Sequence, residues 1–410
     1  MGDAGTRRGM DRAPAVLLGG RGPALSVARS LGARGVRVHV LAGQPGPVAG
    51  SRHCHRFVAA PGGGRLQERW LDWLEREGPA GAVVLPCEDD GLELIARHRG
   101  RLERLGYLPI EADDDVVLAM LDKEDTYRRA RAVGVPTPGT VIVRDASDVG
   151  RAVAELGFPC AVKPVHSHVW QRHFRAKLLP VADELSLRTT VAAARELGIE
   201  VMVTEIIPGG DDQFLSYYTY IDDSGRPLFH LTKRKLRGYP VHFGLSTYQV
   251  IEWHPDVAEL GLRFFAGVGL RGVGNVEFKR DARDGSLKLI ECNHRFTAAN
   301  ELVRRAGVDL AGIAYDRARG ADVSHTPSVR AGDRMWHVWD VPAFLGYRAH
   351  GEVTTAGWLR SLMHPFHLPH FRWSDPVPSA MGMAQGAAKL RRRITRDGLR
   401  APRARTTRVA

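Results

Sequence analysis

At Pro208-Gly209-Gly210 the chain changes its periodicity, and that change divides the molecule. Before it, short apolar runs alternate with amphipathic stretches. AVLLGG (15–20), VRVHVLA (36–42) and AVVLPCED (82–89) have the continuous apolar character of buried parallel strands. PALSVARSLGARG (23–35) opens on Pro23 and stops at Gly35, as a helix does. RLQERWLDWLEREG (65–78) sets Leu66, Trp70, Trp73 and Leu74 at helical spacing, a core stripe. Further on, Asp122 is placed to cap a helix that ends at Gly134, Pro136 and Pro138. Strands follow at PCAVKPV, KLLPV and EVMVTEII, with a helix at DELSLRTTVAAARELG between the last two. After the Pro-Gly-Gly the strands lengthen and pair as hairpins: FLSYYTYIDD with LFHLTKRK, then GVGNVEFKRD with SLKLIECN. The fold class is therefore α/β (α+β), with an open parallel sheet first and antiparallel sheets after it. Two helices within 301–320 close this region. Residues 321–388, holding four of the eight tryptophans, read as an appended packing layer.

The second hairpin carries the most chemistry. With its turn centred on Asp284-Gly285, Glu277 lies opposite Glu291 and Lys279 opposite Leu289. Directly opposed like charges destabilise a sheet. Asn293, two residues beyond Glu291, shares its face. Two carboxylates and an amide oxygen on one face suit a hard cation such as Mg²⁺ shared with phosphates. A one-residue slip in register would instead put one glutamate in solvent. Cys292 alternates to the other face, toward the core. Lys163, inside the apolar strand AVKP, needs an anion, because an unpaired buried ammonium is costly. Lys123 sits in the first turn of a helix, where a cation opposes the dipole unless something negative is near. Gly19, Gly20 and Gly22 at the first strand–helix turn lack the G-x-G-x-x-G spacing and the following acidic residue of dinucleotide sites. His364, His367 and His370 recur every three residues, but Pro365 and Pro369 prevent one helix from presenting them together.

In order, DKEDTY (122–127), FPCAVKPV (158–165), VTEIIPGGDD (203–212), KRKLRGYPVHFG (233–244), GNVEFKRD (274–281) and ECNHRF (291–296) resemble the ATP-grasp superfamily, specifically its carboxylate–amine ligases of the D-aspartate-ligase-like branch. The resemblance covers about 14–320. It implies a Rossmann-like domain at 14–115 and an ATP-grasp domain at 116–325 with lobes of about 116–205 and 206–325. A C-terminal extension (326–388) and a basic tail (389–410) would follow.

The resemblance also assigns roles. Lys123 and Lys163 would contact ATP phosphates. Glu205 and the backbone of Ile206 and Ile207 would hold adenine, and Asp212 or else Asp211 would take the ribose. Glu277, Glu291 and Asn293 would bind Mg²⁺, with Mn²⁺ as a substitute. Arg295 would stabilise the transferred phosphoryl group. Lys235 and Arg237 would face the phosphates or a substrate carboxylate. The implied reaction is ADP-forming amide or peptide bond formation through an acyl phosphate, on small-molecule carboxylate and amine substrates. Two departures stand out: the stretch HSHVWQRHF (166–174) in the 164–176 loop after Lys163 contains only one small residue, Ser167, where a phosphate lid is expected, and His294 replaces the family's proline. That loop is either a lid or a substrate contact.

The formal charge of +12 invites a nucleic-acid reading. Its distribution argues against one. Residues 389–410 carry nine Lys/Arg against one Asp, and residues 1–12 three Arg against two Asp, so +3 remains for the other 376 residues. The Arg-rich tail has instead the character of a weak contact for an anionic membrane surface. No run approaches the roughly 18 apolar residues of a membrane span. The four scattered cysteines read as reduced thiols, and the expected location is cytoplasmic. Oligomeric state is not legible, although a homodimer is compatible. Two rivals remain: a carbamoyl-phosphate-synthase-like or other ATP-grasp phosphoryl-activating enzyme, and a non-catalytic ATP-binding regulatory protein. Deleting residues 391–410 is expected to leave turnover of soluble substrates intact in a steady-state assay; loss of activity would put the tail in the site.

Overall fold

The computed structural model describes residues 12–60, 65–165, 178–323 and 327–384. The basic tail from Lys389 and, apart from Pro164 and Val165, the 164–176 loop lie outside the described residues.

Strands β1 (Ala15–Leu18), β2 (Val38–Ala42), β3 (Arg56–Ala59), β4 (Val83–Pro86) and β5 (Leu108–Pro109) form a parallel sheet in the order β3-β2-β1-β4-β5. Every residue of β1 and β4 is buried, as expected of strands covered on both faces. Helix α1 (Gly22–Ala33) has Pro23 in its first turn, and the chain leaves it through Gly35 at φ +79°, a left-handed conformation that glycine adopts without a Cβ clash. In α2 (Leu66–Arg76) the expected stripe is in place, with Trp70, Trp73 and Leu74 buried. Helix α3 (Asp89–Arg104) has Asp89 and Asp90 in its first turn and Arg101 and Arg104 in its last, matching its dipole at both ends. Strand order reverses between β1 and β4, so a crevice opens at their carboxyl ends.

Helices α4 (Asp114–Leu121) and α5 (Lys123–Ala132) lead out of this unit. Asp122 caps α5 as expected, accepting from the amides of Glu124 at 2.7 Å and Asp125 at 3.1 Å. A four-stranded antiparallel sheet follows: β6 (Thr140–Val143), β7 (Cys160–Pro164), β8 (Leu179–Val181) and β9 (Val201–Glu205), in the order β6-β9-β7-β8. Helices α6 (Ala146–Leu156) and α7 (Glu184–Glu196) back it, each begun by an aspartate capping box.

The third sheet has six strands, β10 (Phe214–Ile221), β11 (Leu231–Tyr239), β12 (Leu245–Ile251), β13 (Gly272–Arg280), β14 (Leu287–Asn293) and β15 (Arg334–Trp336), ordered β14-β13-β10-β11-β12-β15. One face buries Leu215, Tyr217, Val276 and Phe278 against α8 (Pro255–Val268), and Cys292 joins that side. Strand β15 lies beyond residue 325, where the large lobe was expected to end, yet it is an edge strand of this sheet.

Helices α9 (Asn300–Arg305) and α10 (Leu310–Ala318) pack on α1, and α11 (Asp340–Ala349) and α12 (Thr355–Ser361) complete the described elements. The C-terminal extension does more than pack. Arg29 of α1 reaches Asp375 through Nε at 2.8 Å, and Ser51 Oγ and the Arg52 amide donate to the same carboxylate. Glu301 accepts from Arg304, Arg305 and Arg372 and thereby joins α9 to the extension. Burial alone would raise the Glu301 pKa, but these guanidinium groups more than offset it and hold it at about 2, below its ordinary 4.5. A depressed carboxylate pKa gives stability that is complete above pH 4.5 and is lost as pH falls toward 2. At about 1.4 kcal/mol per pH unit, roughly 3 kcal/mol is at stake. Urea titrations at pH 5 and pH 3 should therefore show a larger loss for the wild-type protein than for Glu301→Gln; equal losses would refute the assignment.

Candidate active site

Residues paired across neighbouring strands point to the same side of a sheet, so register alone sets out the site. Ser216 pairs with both Glu277 and Lys233, and Glu277 pairs with Glu291. One lateral row therefore reads Glu291, Glu277, Ser216, Lys233. The next row reads Asn293, Asn275, Tyr218, Leu231, and the row on the other side reads Lys288, Lys279, Phe214, with Lys235 Nζ 4.6 Å from the centroid of the Phe214 ring. This face is opposite the one that packs on α8.

The expected pairing of Glu277 with Glu291 is present, but the register nearer the turn differs. Phe278 pairs with Leu289 and Lys279 with Lys288, so a bulge at Ile290 separates the turn from the glutamate pair. Lys279 was expected opposite Leu289; the extra residue on β14 corrects the offset before the glutamates are reached. Gly285, at φ +75°, closes the connecting loop.

Lys233 was not foreseen from the sequence. It is buried, and Glu277 and Glu291 favour its charged form although burial, the larger effect, lowers its pKa. Lys163 is also buried and donates to Tyr127 Oη at 2.6 Å, while Tyr127 Oη donates to the Ile290 carbonyl at 2.9 Å. The small sheet's lysine is thus tied to the bulge beside Glu291. Lys123 Nζ lies 3.5 Å from the Val165 carbonyl, at the carboxyl end of the same strand. Asn293 donates from its amide to Glu291 Oε1 at 3.3 Å.

The parallel-sheet domain adds a residue that sequence reasoning missed. Arg295 Nε meets Asp89 Oδ1 at 2.5 Å, and the charges of Glu291 and Lys123 are felt at Asp89. Its signal was positional: Asp89 follows β4 at the strand-order switch. There Glu88 Oε1 accepts the Gly20 amide at 3.1 Å, so the glycine turn is engaged by the protein's own carboxylate.

Three expected residues have other partners. Asp211 is buried and takes Lys235 Nζ at 2.5 Å, the His242 amide at 3.0 Å and the Tyr347 hydroxyl, so its oxygens are committed and Asp212, which is exposed, is the remaining ribose candidate. The same contact commits Lys235, which also donates to the Gly244 carbonyl at 3.1 Å. Arg237 was expected beside Lys235, but a bulge between them lets Lys235 pair with Gln249 and Arg237 with Tyr248. This places Arg237 on the opposite face, where it grips Asp340 through Nε at 2.9 Å and Nη2 at 2.7 Å.

Glu205 ends β9 and accepts from the Gly139 amide at 3.1 Å, Lys288 Nζ at 2.7 Å and Arg283 Nη2 at 3.2 Å. It fastens the small sheet to the turn of the large one. After it, Ile206 is half-buried, and the Ile207 carbonyl receives Lys279 Nζ at 2.7 Å. His294 is buried, and burial pushes its pKa down to about 4, so a neutral residue separates Asn293 from Arg295. No three-histidine cluster forms at His364, His367 and His370: His367 approaches Asp333, and His370 packs edge-on to His337.

Residues 230–340 match a family model described as ATP-grasp in the biosynthetic pathway with Ter operon. The chain is 26% identical over 286 residues to D-aspartate ligase of Enterococcus faecium, covering 66% of this chain and 67% of that one. It is also 26% identical over 278 residues to D-alanine–D-alanine ligase of Chromohalobacter salexigens, covering 59% and 85%. In fold it is similar to the biotin carboxylase domain of Hydrogenobacter thermophilus 2-oxoglutarate carboxylase, a dimer in complex with MgADP, with TM-score 0.62, 17% identity and coverage of 78% and 73%. Motif order and sequence relatives agree in their likeness to ATP-grasp carboxylate–amine ligases, and the fold is similar to that of an ATP-grasp biotin carboxylase domain.

Proposed function

We propose that the chain joins the carboxylate of an amino acid or small peptide to an amine, using ATP and releasing ADP and phosphate. The observation that carries this reading is the row Glu291, Glu277, Ser216, Lys233, facing Lys163 across the Tyr127 bridge. Opposed carboxylates with an amide in the adjoining row form a hard-oxygen donor set suited to Mg²⁺ or Mn²⁺. Glu277, Glu291 and Asn293 would hold that ion, which would neutralise charge on the nucleotide phosphates. Lys123 and Lys163 would meet the phosphates from the small lobe. Glu205, Ile206 and Ile207 lie at the lobe junction assigned to adenine, and Asp212 is the group for the ribose.

In the first step a substrate carboxylate oxygen attacks the γ-phosphorus as its bond to the ADP oxygen breaks. In the second, the amine attacks the acyl carbon, phosphate departs with the bridging oxygen, and the amine loses a proton. Phosphoryl transfer asks chiefly for positioned positive charge, which Lys163, Lys233 and Arg295 supply. Asp89 fixes the Arg295 guanidinium. Lys235 and Arg237 act at one remove, through Asp211 and Asp340. Among the described residues no helix is long and apolar enough to cross a membrane, and small soluble substrates are in keeping with a cytoplasmic setting.

Glu291→Ala is expected to abolish Mg²⁺-dependent ADP release while the circular-dichroism spectrum stays native; retained turnover would refute the metal assignment. ADP should appear only when both a carboxylate and an amine are supplied, in a coupled screen over amino-acid pairs. Release of AMP and pyrophosphate would indicate adenylation instead. Lys233→Met should lower kcat at least about tenfold without weakening Mg²⁺ binding, because it removes a cation beside the carboxylates. Weaker Mg²⁺ binding would mean that Lys233 only organises the glutamates.

A further inference from the structure

A second group of metal-ligating side chains lies away from the glutamate row. His242 belongs to the loop between β11 and β12, His350 caps the carboxyl end of α11, and Glu352 follows two residues later. One ligand atom from each lies within 4.8 Å of the others. His242 Nε2 is 3.1 Å from Glu352 Oε1, and the two imidazoles meet edge to face with centroids 5.4 Å apart.

Two features prepare these side chains. His350 Nδ1 lies 2.8 Å from the Gly346 carbonyl, so Nδ1 carries the proton and Nε2 the lone pair. A ring held in this way by a backbone carbonyl is the usual outer-shell arrangement of a metal-bound histidine. His242, at φ +70°, is the one non-glycine residue among those described with a positive φ. The αL conformation costs a histidine of order 1 kcal/mol, and here it presents the imidazole to α11 while the amide donates to Asp211 at 3.0 Å.

We infer that His242, His350 and Glu352 form a binding site for Zn²⁺ or a similar borderline divalent transition metal. Two imidazoles and one carboxylate favour such an ion over Mg²⁺, which prefers oxygen donors. Metal–ligand bonds of about 2.0–2.2 Å put tetrahedral ligand atoms about 3.3–3.6 Å apart. The His242–Glu352 distance is already close to that, and small side-chain rotations bring in His350. Three protein ligands leave a fourth position open. Glu352 also lines a cavity of about 480 Å³ with Asp212, Arg234, Arg334 and Arg360, so that position adjoins a basic recess. The ion would tie the β11–β12 loop, whose Gly244 carbonyl and His242 amide hold Lys235 and Asp211, to the C-terminal extension.

The test is Zn²⁺ binding to tag-free, full-length protein by isothermal titration calorimetry in millimolar Mg²⁺, with Co²⁺ absorption as a second readout. One Zn²⁺ per chain is expected, with visible Co²⁺ bands of four-coordinate type. His350→Ala and Glu352→Gln should each weaken Zn²⁺ binding at least about tenfold. His242→Asn, which tolerates the same backbone conformation, should do likewise. The paired His364→Ala and His367→Ala substitutions should leave it unchanged. Absence of saturable one-site binding, or wild-type affinity in the first three variants, would overturn the proposal.

Discussion

Glu277 and Glu291 face each other across two strands, and much of the surrounding structure accommodates that repulsion. Opposed like charges are unfavourable unless positive charge comes close. Here it is brought from three directions. Lys233 comes along the same row of the sheet, Lys163 comes from the small lobe through Tyr127, and Arg295 arrives from beyond β14, held by Asp89 of the parallel-sheet domain. Lys233 and Lys163 sit on different sheets, and Arg295, which follows β14, is held by a third unit through Asp89. In the proposed reaction a phosphate chain and its divalent ion would complete the charge balance.

Bulges decide which charges take part. At Ile290 one extra residue restores the glutamate register after a turn that would have mispaired it. Between Lys235 and Arg237 another irregularity sends the arginine to the far face. There it forms a buried bidentate pair with Asp340, which also receives Thr247, Trp336 and Trp358. Removing one partner of such a pair leaves an uncompensated buried charge, typically at 3–5 kcal/mol. The C-terminal extension thus contributes an edge strand, Asp340 to the large sheet and Asp375 to α1, and it ties that sheet to the parallel-sheet domain.

The sequence by itself determined the types of the strands and helices named from it, the switch from parallel to antiparallel sheet, the Asp122 cap, the core stripe of α2 and the identity of the facing glutamates, but it did not mark β3, β12, α6 or α8. Those features depend on residues near one another in the chain: apolar period, cap position and alternation within one hairpin. Only the tertiary structure decided that Asp211 is committed to Lys235, that Arg237 lies on the opposite face, that Glu205 is clasped by Lys288 and Arg283, and that Asp89, Lys233 and the His242–His350–Glu352 group lie where they do. These depend on contacts between residues up to about two hundred positions apart, and on single-residue bulges that reverse which face a side chain occupies. Local periodicity carries no record of either, because a charge takes its partner from packing and not from its neighbours in sequence.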